Sequence, residues 1–126
     1  MRPAYKYCVG AIASLMVLSP ASAARDLVRD FAVCTGRLSA EMEHSWLMQD
    51  GRGDATQTRR DAMADLLTAV TDADNALRVY DLRINAKLAH SSLLTQASFG
   101  PDRDQAERAR RLAKAHVAGC TAFLLA

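Results

Sequence analysis

The sequence predicts an all-α protein, a small antiparallel up-down-up-down four-helix bundle closed by one disulfide between its first and last helices. Apolar residues recur at the three- and four-residue steps of an α-helix through most of the chain. No stretch shows the alternating pattern typical of a β-strand. Short polar segments, two of them glycine-containing, divide the helical pattern into four parts, which suits a bundle with short connections.

The first 23 residues have the features of a secretory signal peptide. Arg2 and Lys6 precede an uncharged run from Cys8 to Leu18, and small residues then lead to a cleavage site after Ala23. The run is too short to span a bilayer as a mature helix, although an uncleaved N-terminal anchor is the alternative. The sequence therefore predicts a periplasmic or secreted protein with one helical domain, residues 24–126, and no membrane span after cleavage.

Cleavage leaves a chain without net charge. The full chain has 16 basic and 14 acidic residues, and the signal holds two basic residues and no acidic ones, so 14 of each remain. Interspersed charges of both signs provide no basic surface for nucleic acid or an anionic membrane. We therefore expect no nucleic-acid partner.

Cys34 and Cys120 are the two cysteines that remain after cleavage. An even pair in an exported protein favours a disulfide, and two free buried thiols are the alternative. Cys34 lies in the N-terminal half of the first helix and Cys120 near the end of the last, and these levels coincide in an antiparallel pair. No CxxC motif indicates thiol redox chemistry or covalent haem attachment.

The first helix is predicted from Leu27 to Met48, ending at a loop with two glycines. Within that loop, Arg52-Gly53-Asp54 matches a three-residue adhesion motif, which we interpret as a plain loop because so short a motif is common by chance. Trp46 borders the helix's apolar stripe just before the loop. The stripe consists of Leu27, Phe31, Cys34, Leu38 and Met42.

The second helix is predicted to begin near Thr56 or Thr58 and to end before the polar segment Thr71–Asn75. Its apolar period continues beyond that segment, so one kinked helix from 56 to 98 is the alternative. Such a helix would be roughly 64 Å long, much longer than a domain of this size is wide. The break is therefore favoured. The apolar stripe of the second helix consists of Met63, Leu66, Leu67 and Val70.

The third helix, about 75–98, has two apolar faces. Such a helix is either central in its bundle or contacts a partner on one side. We assign the core to the face with Leu77, Tyr80, Ile84 and Leu88. The predicted interaction face, for a protein partner or a homodimer, consists of Val79, Leu82, Ala86 and Leu93.

The fourth helix is predicted from about Asp102 to Phe123, after a break at Gly100-Pro101. Its expected inner stripe consists of Ala109, Leu112, His116, Gly119, Cys120 and Phe123. His116 interrupts this stripe, and Glu41 on the first helix lies within one turn of the same level. The two are a candidate polar pair, with a structural hydrogen bond as one interpretation and a pH-sensing or metal-binding role as the other.

No catalytic signature supports an enzyme. The sequence lacks HExxH, GxSxG, a P-loop, a dinucleotide glycine fingerprint and the carboxylate set of a di-iron bundle. We predict no cofactor and no metal site. The leading hypothesis is an exported helical protein that acts by binding or structural interaction. The alternative is a small-ligand or metal-binding bundle using His116, Glu41 and Trp46, and a bundle with a purely structural role is the third interpretation.

Overall fold

The computed structural model describes residues 20–126, with side chains described from Leu27 onward. Four helices make up the fold: α1 Pro20–Met48, α2 Gly53–Val70, α3 Ala76–Phe99 and α4 Arg103–Leu125, and this part of the chain contains no strand. The all-α prediction is confirmed. Most of the predicted signal peptide, including Cys8, lies outside the described residues. No described helix is both long and apolar enough to cross a membrane.

The connections lie close to their predicted positions. The predicted break is confirmed, because α2 ends at Val70 and Asp72 Oδ1 then accepts hydrogen bonds from the N–H groups of Asp74 and Asn75. The start of α2 differs from the prediction. The helix begins at Gly53, three residues before Thr56, because the Arg52 carbonyl accepts from the Thr56 N–H and starts the helical hydrogen-bond ladder.

The helices alternate in direction. Contacts between α1 and α3 advance together along both helices, from the cluster of Val28 and Val79 to the hydrogen bond between His44 and Ser98, so α1 and α3 are parallel. Contacts of α1 with α4 run in opposite order, as the bridge at Cys34 and the packing of Ala40 on Ala113 show. The up-down-up-down arrangement is confirmed.

Helix α1 is the centre of the bundle. It packs against α2, α3 and α4, whereas α2 and α3 do not pack against each other within the described residues. Gly36 permits the close approach of α3, because an added Cβ would overlap the Arg83 carbonyl oxygen and lie 3.1 Å from the Cβ of Ala86. Ala32 and Ala40, one turn to either side, are also buried. A row of small residues on α1 therefore receives α3.

The disulfide joins α1 to α4 as predicted. Cys34 and Cys120 are bonded across 86 positions, with their Cα atoms 5.3 Å apart, and both are buried against Leu38 and Met63.

The inner stripe of α4 was predicted correctly at Ala109 and Cys120 but wrongly at two other positions. Leu112 and Gly119 are exposed, and a Cβ added to Gly119 would meet nothing within 4 Å. Ala106 and Ala113 are buried there beside Ala109.

Candidate functional site

The two apolar faces of α3 are oriented opposite to the prediction. Val79 is buried in one cluster with Val28, and Leu82 packs against that cluster. Ala86 lies against Gly36, and Leu93 packs against a second buried cluster. The predicted interaction face is therefore the core face, and Ala86 fits the close crossing with α1 at Gly36.

The outward face of α3 carries four large apolar side chains, which we call the outer stripe: Leu77, Tyr80, Ile84 and Leu88. Their exposed fractions are 83%, 62%, 39% and 63%. At about 100° per residue they lie on one line along the helix. An exposed apolar row of this kind on a soluble protein usually marks a contact surface.

The line of the outer stripe continues to the end of α3 without a charged residue. Ser91, Thr95 and Phe99 follow on the same side at helical spacing, and Phe99 is exposed. The whole line spans about 33 Å. Arg78 and Asp81 border the outer stripe on one edge. On the other edge lies Lys87, whose Nζ is 2.6 Å from Glu43 Oε1.

A polar cluster lies on the opposite side of α3, where it meets α1 and α4. His90 is 1% exposed, and its Nε2–H donates to Glu41 Oε1 at 2.8 Å. The ring of His116 is 5.8 Å from that of His90, measured between centroids. The Nδ1 atoms of both histidines are buried without a hydrogen-bond partner in the described structure. The predicted partner of Glu41 was therefore wrong: the carboxylate bonds to His90 of α3, whose ring also lies near that of His116.

The surroundings of His116 oppose its protonation. Burial lowers the pKa of the imidazole, and the nearby positive charge of Arg37 and the ring of His90 lower it further. Burial also lowers the pKa of Arg37. A pair with Glu41 would raise the pKa of His116, so its lowered pKa agrees with the corrected arrangement.

A small cavity opens beside Glu41, between α1, α2 and α4. Its volume is about 140 Å³, and its polar lining includes Arg52 and Arg59. The remaining lining residues are Glu41, Ser45, Ala55, Thr56 and Val117. Among the described residues, no group of three or more His, Cys, Asp or Glu side chains is arranged to hold a metal ion.

Trp46 does not join the polar cluster. It lies at the end of the bundle where α2 begins, and its indole covers Gly53 so closely that an added Cβ there would overlap the ring. Its Nε1–H points to Asp54 Oδ1 at 3.4 Å. The predicted grouping of Trp46 with His116 and Glu41 was wrong. Gly53 and Asp54 belong to the first turn of α2. The interpretation of Arg52-Gly53-Asp54 as a plain loop was therefore only partly right.

A wider cleft of about 660 Å³ lies at the opposite end of the bundle, beside the α2–α3 turn. Leu27, Val28 and Val70 form its apolar part. Two of its four polar lining residues are engaged in the turn: Asp72 accepts from two backbone N–H groups, and Asn75 Oδ1 accepts from the Asp72 N–H. These hydrogen bonds give Asp72 and Asn75 a structural role, and the cleft is also lined by Asp74 and Arg78.

Sequence reasoning missed His90 because the core face of α3 was assigned incorrectly. A signal for the correct assignment exists, since Ala32, Gly36 and Ala40 recur at four-residue spacing on α1 and permit a close approach, and Ala86 is the small residue of α3 that meets Gly36. His90 lies on that face of α3, in line with Val79.

Two candidate sites therefore remain, the outer stripe and the polar cluster. Comparison of the chain with models of known protein families, with curated proteins and with solved structures found no match.

Proposed function

We propose that this chain is a small exported protein that acts by binding, and that the outer stripe of α3 is its contact surface. The observation that carries the proposal is the exposure of Leu77, Tyr80 and Leu88 on one line of a helix whose other face packs on the core. A bundle core needs one apolar face from each helix, so the second face has no part in the fold. Its removal from water by a partner helix would stabilise a complex.

Export is part of this proposal. The buried Cys34–Cys120 bridge supports it, because disulfides persist in oxidising compartments. The features of residues 1–23 support it independently. The mature chain then works in the periplasm or outside the cell.

Site-specific photo-crosslinking in the host tests the contact surface. A photoreactive amino acid replaces Tyr80 in one variant and Leu112 in the other. Leu112 is a matched control, because it is apolar, 46% exposed and lies on α4. We expect discrete crosslinked products from position 80 only, and their loss when Leu88→Glu is added. No product from position 80, or the same products from position 112, would refute the proposal.

A small-ligand site at the polar cluster is the second candidate function. The buried, unpartnered Nδ1 atoms of His90 and His116 favour it, with rings 5.8 Å apart, although the cavity beside Glu41 is lined by neither histidine. Metal analysis of the purified protein, followed by calorimetric titration with Zn²⁺, tests the metal form of this idea. Zn²⁺ binding that is lost in both His90→Gln and His116→Gln would support it, and an absence of heat and bound metal would exclude that form.

A further inference from the structure

We propose that the groove between α2 and α3 binds a phosphate group. Helices α2 and α3 do not pack against each other within the described residues, so α1 forms the floor of the gap between them. The groove has a volume of about 220 Å³. Gly36 and Ser39 belong to its floor, Arg60 lies on the α2 side, and Arg83 and Lys87 lie on the α3 side.

The lining of the groove is positively charged. Arg60, Arg83 and Lys87 are its cationic residues, and Glu43 is its one acidic residue. Glu43 is paired with Lys87, with Oε1 and Nζ 2.6 Å apart. Arg83 is partly buried and has no ion-pair partner among the described residues. Two positive charges therefore have no counterpart within the lining, which suits a phosphate group with a charge of about −1.5 to −2 at neutral pH.

Arg60 occupies a position on α2 that is typical of a core residue. It follows Thr56 by four positions and precedes Met63 by three, and both of those residues are buried. The Arg60 side chain is 26% exposed, and its Nε is buried without a hydrogen bond, although Asp61 Oδ1 is 3.1 Å away. Its Nη2 donates to Met42 Sδ at 3.9 Å, and a thioether is a weak acceptor. Buried donors normally have good acceptors, so this guanidinium lacks a partner.

A phosphate group would supply the acceptors that these side chains lack. Each guanidinium has N–H donors in a planar fork that fits two oxygens of a phosphate, and Lys87 adds a compact positive charge. Ser39 Oγ already donates to the Thr35 carbonyl, so the cations are the donors of the site. The groove is smaller than the roughly 300–1,000 Å³ of sites for drug-sized ligands. It therefore suits a single phosphate group rather than a larger molecule.

NMR titration of the oxidised protein with inorganic phosphate, at constant ionic strength balanced by chloride, tests the site. We expect saturable shifts of the amide signals of Gly36, Ser39 and Arg83. Arg60→Gln and Arg83→Gln should each weaken binding at least about tenfold, whereas Arg108→Gln should leave it unchanged. Arg108 is a matched control, because it is an exposed arginine on α4 that makes no ion pair with a described residue.

Thermal unfolding separates a ligand-binding role of Arg60 from a structural one. In phosphate-free buffer Arg60→Gln should keep the wild-type melting temperature, because the buried Nε makes no hydrogen bond that the variant could lose. Added phosphate should raise the melting temperature of the wild type but not that of Arg60→Gln. A variant that melts much lower without phosphate, yet binds phosphate as the wild type does, would overturn the role of Arg60.

Three other results would overturn the proposal. The absence of a saturable shift with phosphate would exclude the site. An equal response to acetate at the same ionic strength would mean that the groove takes carboxylates, such as those of an acidic peptide, and not phosphate in particular. Phosphate binding that survives both Arg60→Gln and Arg83→Gln would place the site elsewhere.

Lipid vesicles distinguish the source of the phosphate group. Cosedimentation with phosphatidylcholine vesicles that contain phosphatidic acid, but not with phosphatidylcholine alone, would identify a lipid headgroup if Arg83→Gln abolishes it. Saturable binding of inorganic phosphate without cosedimentation would identify a soluble phosphate compound. Photo-crosslinking from position 80 is independent of both results, so the phosphate site and the contact surface of α3 can fail separately.

Discussion

Glu41 on α1 accepts a hydrogen bond at 2.8 Å from His90, which lies 49 positions later on α3. His90 is almost completely buried, and the carboxylate of Glu41 is its one hydrogen-bond partner among the described residues. The bond therefore joins the central helix to α3 at a level where both are covered by α4. Loss of the acceptor would leave a buried ring N–H without a partner.

Glu41→Ala should accordingly lower the free energy of unfolding by about 1–3 kcal/mol. Glu43→Ala is the matched control, since it removes a carboxylate two positions away whose ion pair with Lys87 is largely exposed. Such surface pairs contribute at most about 1 kcal/mol. Urea unfolding of the two variants measures the difference, and equal losses would contradict a structural role for the bond between Glu41 and His90.

The lowered pKa of His116 predicts a loss of stability in mild acid. The unfolded-state pKa is about 6.5 and the folded-state pKa is lower, so between these values the unfolded chain binds more protons. The free energy of unfolding should therefore fall as the pH drops from 7 through 6.5, until the folded-state pKa is passed. Urea unfolding at several pH values should show a shallower fall in His116→Gln than in the wild type.

The charge of Arg37 provides a second test of the same environment. Because this guanidinium disfavours the protonated ring, Arg37→Gln should raise the pKa of His116 toward its ordinary value. NMR titration of the imidazole measures the shift. A pKa that is unchanged in Arg37→Gln, or above the ordinary value in the wild type, would contradict the surroundings described for His116.

The two faces of α3 should respond differently to the same charge. Leu82 packs against the buried cluster of Val28 and Val79, so Leu82→Glu places an unpaired carboxylate in the core and should destabilise the fold by about 3 kcal/mol or more. Leu88→Glu lies on the outer stripe and should change stability by no more than about 0.5 kcal/mol. Thermal unfolding of both variants compares them. Similar destabilisation would mean that both faces are core.

The disulfide should contribute substantially to stability because the domain is small. Cys34→Ser and Cys120→Ser should each lower the free energy of unfolding by about 2–5 kcal/mol, and the double variant should lose no more than either single one. Non-reducing peptide mapping should show Cys34 joined to Cys120. Two thiols that alkylate in the native exported protein would refute the bridge.

Export predicts a defined N-terminus. Cleavage after Ala23 should give an intact mass that begins at Ala24 when the protein is isolated from the cell envelope or the medium. A mass that retains residues 1–23 would indicate an N-terminal anchor. The charge balance of the working protein would then be +2 rather than zero.

Periodicity was sufficient for the elements that have one apolar face. The stripes of α1 and α2 were predicted correctly at Leu38, Met42, Met63 and Leu67, and the break after Val70 followed from residues that prefer turns. The inward side of α2 is unambiguous because its opposite side is polar, whereas α1 is also buried along Ala32, Gly36 and Ala40, a side that its apolar stripe did not indicate. The bridge then fixed the level at which the first helix meets the last.

Periodicity could not orient α3, because both its faces are apolar. The larger side chains, Leu77 and Tyr80 among them, suggested the core, but the distance between helices decided the matter. At Gly36 the helices are too close for large residues, so the face with Ala86 turns inward and carries His90 with it. The hydrogen-bond partner of Glu41 depended on which face of α3 turns toward α1. Only the packing of α3 against α1 determines that orientation.

If the chain is exported as proposed, the position of α1 at the centre of the bundle has a consequence for its folding. Its surface is covered only when α3 and α4 are alongside, and contacts between residues so distant in sequence form slowly because a long loop must close first. A chain that crosses a membrane N-terminus first exposes the Cys34 thiol while the 86 positions to Cys120 are still following. The Cys34 thiolate can attack the disulfide of an oxidase or of a small molecule in the receiving compartment and release one of its thiols, so a mixed disulfide at Cys34 is the expected early species. Attack of the Cys120 thiolate on that mixed disulfide then releases the second thiol and forms the native bridge late.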